Sequence, residues 1–218
     1  MKPTFVNNTV LILMCALLAS CTALLSKEPL QTNYYSLELI EDKPHSAPAL
    51  NTNNWLPILV VNTPKAAPGF DTQRMMYSRA PHQLEYFARN EWIATPAHML
   101  RPLMIAAIEE TGAFDAVLAK QSVVTSDLRM ESEVIKLVQN FNNRPSHAQF
   151  TLRVTIIDNV TNKVIAIQEF DERVDAGSED PMGGVVAANQ AVNRALNNLS
   201  LFTQKTVSNI KQSRDKSP

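Results

Sequence analysis

Two cysteines, four histidines and a few adjacent carboxylates are the side chains in this 218-residue chain most able to do chemistry. The histidines are His45, His82, His98 and His147. None lies at H-x3-H or HExxH spacing, so no helical pair of imidazoles converges on a metal ion. Glu109-Glu110, Asp171-Glu172 and Glu179-Asp180 read as solvated faces or loops. No Gly-x-Ser-x-Gly elbow raises a nucleophile above a turn. Gly183-Gly184 is the one doublet among five glycines. Its amides could hold an anion at a helix start, although a flexible helix start explains the pair more simply. These residues supply no catalytic set and no metal site, and the chain reads as a non-enzyme. Cys21 stands apart, because the small side chains of Ala19 and Ser20 precede it.

The elements around Cys21 explain what it could do. One positive residue, Lys2, is followed by an apolar run over 9–18 and then by the small residues. That order is a secretory leader. The run is too short to span a bilayer, which takes about 20 apolar residues. Leu18-Ala19-Ser20-Cys21 resembles the lipobox of bacterial lipoproteins. The resemblance implies cleavage between Ser20 and Cys21. It also implies a thioether-linked diacylglycerol on the Cys21 sulfur and a third acyl chain, such as palmitate, on the new amino group. Cys15 follows the bulky Leu13 and Met14 and does not fit. The competing reading is a buried cysteine in an N-terminal core helix. No cofactor is expected beyond the covalent acyl lipid.

Removing residues 1–20 leaves 198 residues and takes away only Lys2, so 20 basic against 21 acidic becomes 19 against 21. The net charge of about −2 offers no basic field for nucleic acid. With Cys15 gone and Cys21 acylated, neither a disulfide nor a thiolate metal site can form. The expected organisation is a leader over 1–20, a lipidated tether over 21–33, one domain over 34–210 and a charged tail over 211–218.

Alternation predicts a first strand over Tyr34–Ile40, and the apolar run Trp55–Asn62 predicts a strand buried on both faces. Two short strands, Gln73–Ser78 and Leu84–Ile93, join around Ala80-Pro81-His82. In the second, strict alternation puts Tyr86 and Trp92 on one face and Arg89 on the other. Thr95-Pro96 opens a helix whose stripe is Met99, Leu100, Leu103, Met104, Ala107 and Ile108; Gly112 closes it. A short strand over Phe114–Leu118 follows. Leu128–Asn140 reads as a long strand with a bulge near Val134. Phe150–Ile157 and Val164–Phe170 form a hairpin across Asp158–Asn162. A long helix with an Asn- and Gln-rich polar face ends the domain. The fold class is α+β, a twisted and mostly antiparallel sheet with two main helices packed on one face.

Four segments in this order resemble the ABC-type transport auxiliary lipoprotein component family, which includes the PqiC-like lipoproteins. They are the lipobox at Cys21, the strand Ile58–Val61, the stretch Gln83–Pro96 and Phe114 with Val117. The most specific part is Gln83, Tyr86, Trp92 and Pro96. The resemblance implies a lipoprotein tethered to the outer membrane on its periplasmic face. It would serve an MCE-type ABC transport system that moves phospholipid or other hydrophobic molecules. Thr22 in place of an aspartate after the acylated cysteine favours the outer membrane. The expected partners are an MCE-domain protein, ABC transporter subunits, the membrane through the anchor, and further copies of the chain in a homo-oligomer. Gln83, Tyr86, Arg89 and Trp92 are the candidate partner-binding residues; the competing reading makes Tyr86 and Trp92 core. Other functions open at this point are an outer-membrane assembly lipoprotein supporting a β-barrel, and direct lipid carriage in an apolar cavity.

Overall fold

The computed structural model describes residues 31–40, 55–119 and 125–215, and the described residues from Asn33 onward belong to one compact unit. The leader, Ser20, Cys21 and His45 lie outside the described residues.

The longest strand, β7 (Leu128–Asn140), organises the sheet. On one side it pairs antiparallel along its whole length with β8 (His147–Asp158), which pairs in turn with β9 (Val164–Asp175). On its other side three short strands take successive stretches, all parallel to it. They are β2 (Ile58–Val61) at Leu128–Met130, β3 (Lys65–Ala66) at Glu133–Val134 and β4 (Arg74–Ser78) at Gln139–Asn140. Beyond β2 lies β6 (Ala116–Leu118); beyond β4 lie β5 (Glu85–Trp92) and then β1 (Asn33–Tyr35). The expected bulge in β7 falls between Val134 and Lys136. The α+β class holds, and the sheet is mixed: the long strands are antiparallel, whereas most of the short ones pair parallel.

Two helices cover the sheet. In α1 (Pro96–Glu109) the expected stripe is buried except for the half-buried Leu103, with Leu100, Met104 and Ile108 fully so. Thr95 is the N-cap in extended conformation, but its hydroxyl bonds the His98 ring nitrogen at 2.8 Å rather than a backbone amide. Gly112 adopts a φ of 60° just beyond the helix, a conformation that suits glycine. The second helix, α2, runs over Pro181–Asp215, so the stretch expected as a tail is helical to residue 215. Near its end the Arg214 guanidinium lies 3.6 Å from the Trp55 ring centroid. Ala187, Ala188, Ala191 and Ala195 bring α2 close to β8 and β9. There it meets Phe150, Leu152, Val154 and Phe170, and the two helices meet where the Ser200 hydroxyl donates to the Ala107 carbonyl at 2.7 Å.

The first strand is shorter than expected. Ladder pairing stops at Tyr35, yet residues 36–40 stay aligned because α2 side chains replace a neighbouring strand. Asn189 accepts the Glu38 amide at 2.8 Å and donates to the Ser36 carbonyl at 3.1 Å. One turn on, Asn193 accepts the Ile40 amide and donates to the Glu38 carbonyl, each at 2.8 Å. Leu37 is buried beneath this segment.

Candidate functional site

The β4–β5 hairpin carries the residues that the sequence singled out. Its register explains where they go. From Arg74 to Met76 is two steps along β4, but the partners Glu91 and Tyr86 are five steps apart on β5. The odd difference reverses the alternation inside β5. Tyr86 and Trp92 therefore do not share a face: Trp92 is 4% exposed in the core, and Tyr86 is 51% exposed. For Trp92 the core reading is the one realised. Gln83 and Arg89 are exposed, so Gln83, Tyr86 and Arg89 remain available to a partner.

The hairpin is held from beneath. Tyr77 and Phe87 pack with ring centroids 4.5 Å apart, and Phe141 meets Tyr77 edge-on at 5.9 Å. The Glu85 carboxylate accepts from the Tyr77 hydroxyl at 3.0 Å and from Arg79 Nε at 2.9 Å. The Arg79 bond holds the Glu85 carboxyl below its ordinary range; burial, and then the bond to Glu85, push the Tyr77 hydroxyl up. Above this base the Arg74 guanidinium lies 4.2 Å from the Tyr86 ring centroid. A groove of about 390 Å³, lined by Phe70, Gln83, Leu84, Lys136, Asn142 and Gln149, lies at the loop that leads into β5. Rigid backing with an exposed aromatic, an aliphatic and amide side chains suits recognition of another molecule.

The other candidates resolve into structural roles. Asp180 caps α2: its carboxylate accepts the Gly183 amide at 2.7 Å, so the helix start holds an anion from its own chain. Gly183 and Gly184 sit where a Cβ would overlap the Ser178 backbone and the Gln139 side chain. Close approach, rather than flexibility, is what places them there. Asp171 accepts from Thr151 at 2.6 Å and Gln149 at 2.7 Å, Glu172 accepts from Asn198, and Glu179 accepts the Ser146 amide. Among the described residues no group of three His, Cys, Asp or Glu side chains could hold a metal ion.

One surface lay beyond sequence reasoning. Residues 34–40 and the first turns of α2 border an open groove of about 390 Å³. Tyr34, Ile40, Met182 and Val186 stand on it, between 45% and 60% exposed. Asn189 and Asn193, four apart on the polar face of α2, were the visible signal, but their partners lie about 150 residues away.

The architecture is shared with other solved proteins. Protein XCC0632 from Xanthomonas campestris superposes with a TM-score of 0.70 at 20% identity, covering 83% of this chain and 99% of that one. An uncharacterized protein superposes at 0.62 with 12% identity, covering 79% and 99%. The hypothetical protein CT253 from Chlamydia trachomatis does so at 0.50 with 8% identity, covering 70% and 98%. At these identities the likeness is one of fold. No curated protein matches the sequence. The chain belongs to the ABC-type transport auxiliary lipoprotein component family, whose model matches residues 35–200, from the end of β1 to the middle of α2. It is an auxiliary component of ABC-type transport and, as the family description states, a lipoprotein, hence a membrane-anchored protein of the cell envelope.

Proposed function

We propose that the protein is a non-catalytic docking subunit of an MCE-type ABC transport system that moves phospholipid or another hydrophobic molecule. An acylated Cys21 anchors it to the outer membrane with the domain in the periplasm. Thr22 after Cys21 supports that membrane, and 35–200 is the stretch that supports a transport role. Each CH2 of a lipid moved through water costs about 0.8 kcal/mol, so such a system needs its apolar conduit positioned against the target membrane. A tethered domain with a rigid recognition surface meets that need. The observation that carries the docking role is the exposed Tyr86, backed by the Tyr77–Phe87–Phe141 cluster and flanked by Gln83 and Arg89.

The test is capture of the MCE-domain protein by the full-length chain from detergent-solubilised envelopes. Tyr86→Ala and Arg89→Ala should each weaken capture roughly tenfold, as truncated Tyr and Arg anchors do, while circular dichroism stays unchanged. Undiminished capture by both variants would refute the docking surface. Failure of the parent chain to capture any MCE-domain protein would refute the assignment to that system.

A further inference from the structure

We propose that the groove between residues 34–40 and the first turns of α2 rests on the lipid bilayer surface. This rests on the reading of Cys21 as the acylated anchor. Twelve residues, 22–33, separate Cys21 from Tyr34, so thirteen Cα-to-Cα steps give a reach of at most about 45 Å even when fully extended. Of the groove's side chains, Tyr34 is the nearest in sequence to that anchor, and the chain joins the domain at the lip of the groove.

The chemistry of the groove favours lipid over a peptide. A peptide strand adds to a sheet through free backbone groups. Here the amides of Glu38 and Ile40 and the carbonyls of Ser36 and Glu38 are already bonded to Asn189 and Asn193. Most of what faces outward is apolar, Tyr34, Ile40, Met182 and Val186, with Glu38 and Gln190 the exposed polar side chains beside them. Among the described residues Glu38 is the one charged side chain lining the groove, and its carboxylate accepts the Ser36 hydroxyl at 2.5 Å. A phenol beside aliphatic and thioether side chains suits the headgroup boundary, where an apolar body and a polar tip are both satisfied.

The full chain, produced with its leader and purified from membranes in detergent, is reconstituted into phosphatidylethanolamine–phosphatidylglycerol vesicles containing doxyl-labelled lipid. Bimane is attached to Met182→Cys, to Ile40→Cys and to Val160→Cys, with the parent chain as blank. Val160 is 76% exposed, in the β8–β9 turn at the far end of that hairpin from the α2 start. The lipid quencher should quench bimane at positions 182 and 40 at least about twofold more than at 160, as a face lying in the interface would. Equal quenching at all three, in protein whose mass shows acylated Cys21, overturns the bilayer contact and leaves the anchor standing. An unmodified Cys21 overturns the anchor and this contact together.

Discussion

Asn189 grips the backbone at Glu38 from the opposite end of the chain, accepting its amide at 2.8 Å. The same side chain donates to the Ser36 carbonyl, and Asn193 repeats the pattern one helical turn later. The first segment of the domain is thus fixed to its last helix by side chains that act as a strand edge. Asn189→Ala should cost about 1–2 kcal/mol, since several hydrogen bonds are lost at once but the site is partly solvated. Urea denaturation measures the cost, and hydrogen exchange should quicken at the Glu38 amide in Asn189→Ala and at the Ile40 amide in Asn193→Ala. Unchanged exchange at both would show that the asparagines are incidental.

The β5 irregularity gives two neighbouring aromatics opposite roles. Trp92→Ala should destabilise by about 3–5 kcal/mol, the range for removing a large buried aromatic. Tyr86→Ala, at an exposed position, should change stability by no more than about 1 kcal/mol. Thermal melts of the two variants side by side test the contrast, and equal losses would contradict the reversed alternation.

The glycine pair is a packing requirement. Gly183→Ala puts a methyl against the Ser178 backbone and should cost about 1–3 kcal/mol by overpacking. Gly184→Ala meets Gln139, whose amide nitrogen donates to the Asp180 carbonyl at 3.2 Å and to Ser146 at 3.1 Å. Combining it with Gln139→Ala should therefore be less harmful than the two single costs added. A double-mutant cycle in urea decides, and strict additivity would dissociate the two residues.

Acid should weaken the fold through a few carboxylates. Asp158 accepts the Thr161 amide at 2.7 Å and the Val160 amide at 2.9 Å, and these bonds hold its carboxyl below the ordinary range. For Asp180 the Gly183 amide does the same. At Asp171 burial opposes ionisation, but the bonds from Thr151 and Gln149 outweigh it. A carboxyl whose folded pKa is depressed contributes its stability fully above the unfolded value near about 4 and loses it as pH falls through the folded value. The urea midpoint should hold from neutrality to about pH 5 and then drop. Asp158→Asn should make that drop shallower; an identical profile would remove Asp158 from the cause.

The legible parts of the fold were those written in local alternation. The β8–β9 hairpin, the bulge near Val134 and the α1 stripe depend on neighbours within a few residues. Tyr34–Ile40 alternates like a strand throughout, and nothing local says that its partner beyond Tyr35 is a pair of asparagine side chains. Trp92 was misplaced on the Tyr86 face because its phase is set by pairing with β4, not by its own segment. Parallel pairing of the short strands to β7 is non-local in the same way. Of the candidate site, residue identities on β5 were visible, but the Glu85 network and the groove beside Gln83 exist only once β4, β5 and β7 have met.

Three strands share one side of β7, and all of them precede it in the chain. A polypeptide emerging amino end first can pair β4 with β5 and β2 with β6, but the edge of β2, β3 and β4 that faces β7 has no strand to join until residue 128 and those after it have followed. The first half cannot complete the sheet alone, because the strand that joins β2, β3 and β4 comes later in the chain. Closure of the sheet along that side of β7 therefore waits on contacts distant in sequence, the kind that forms slowly.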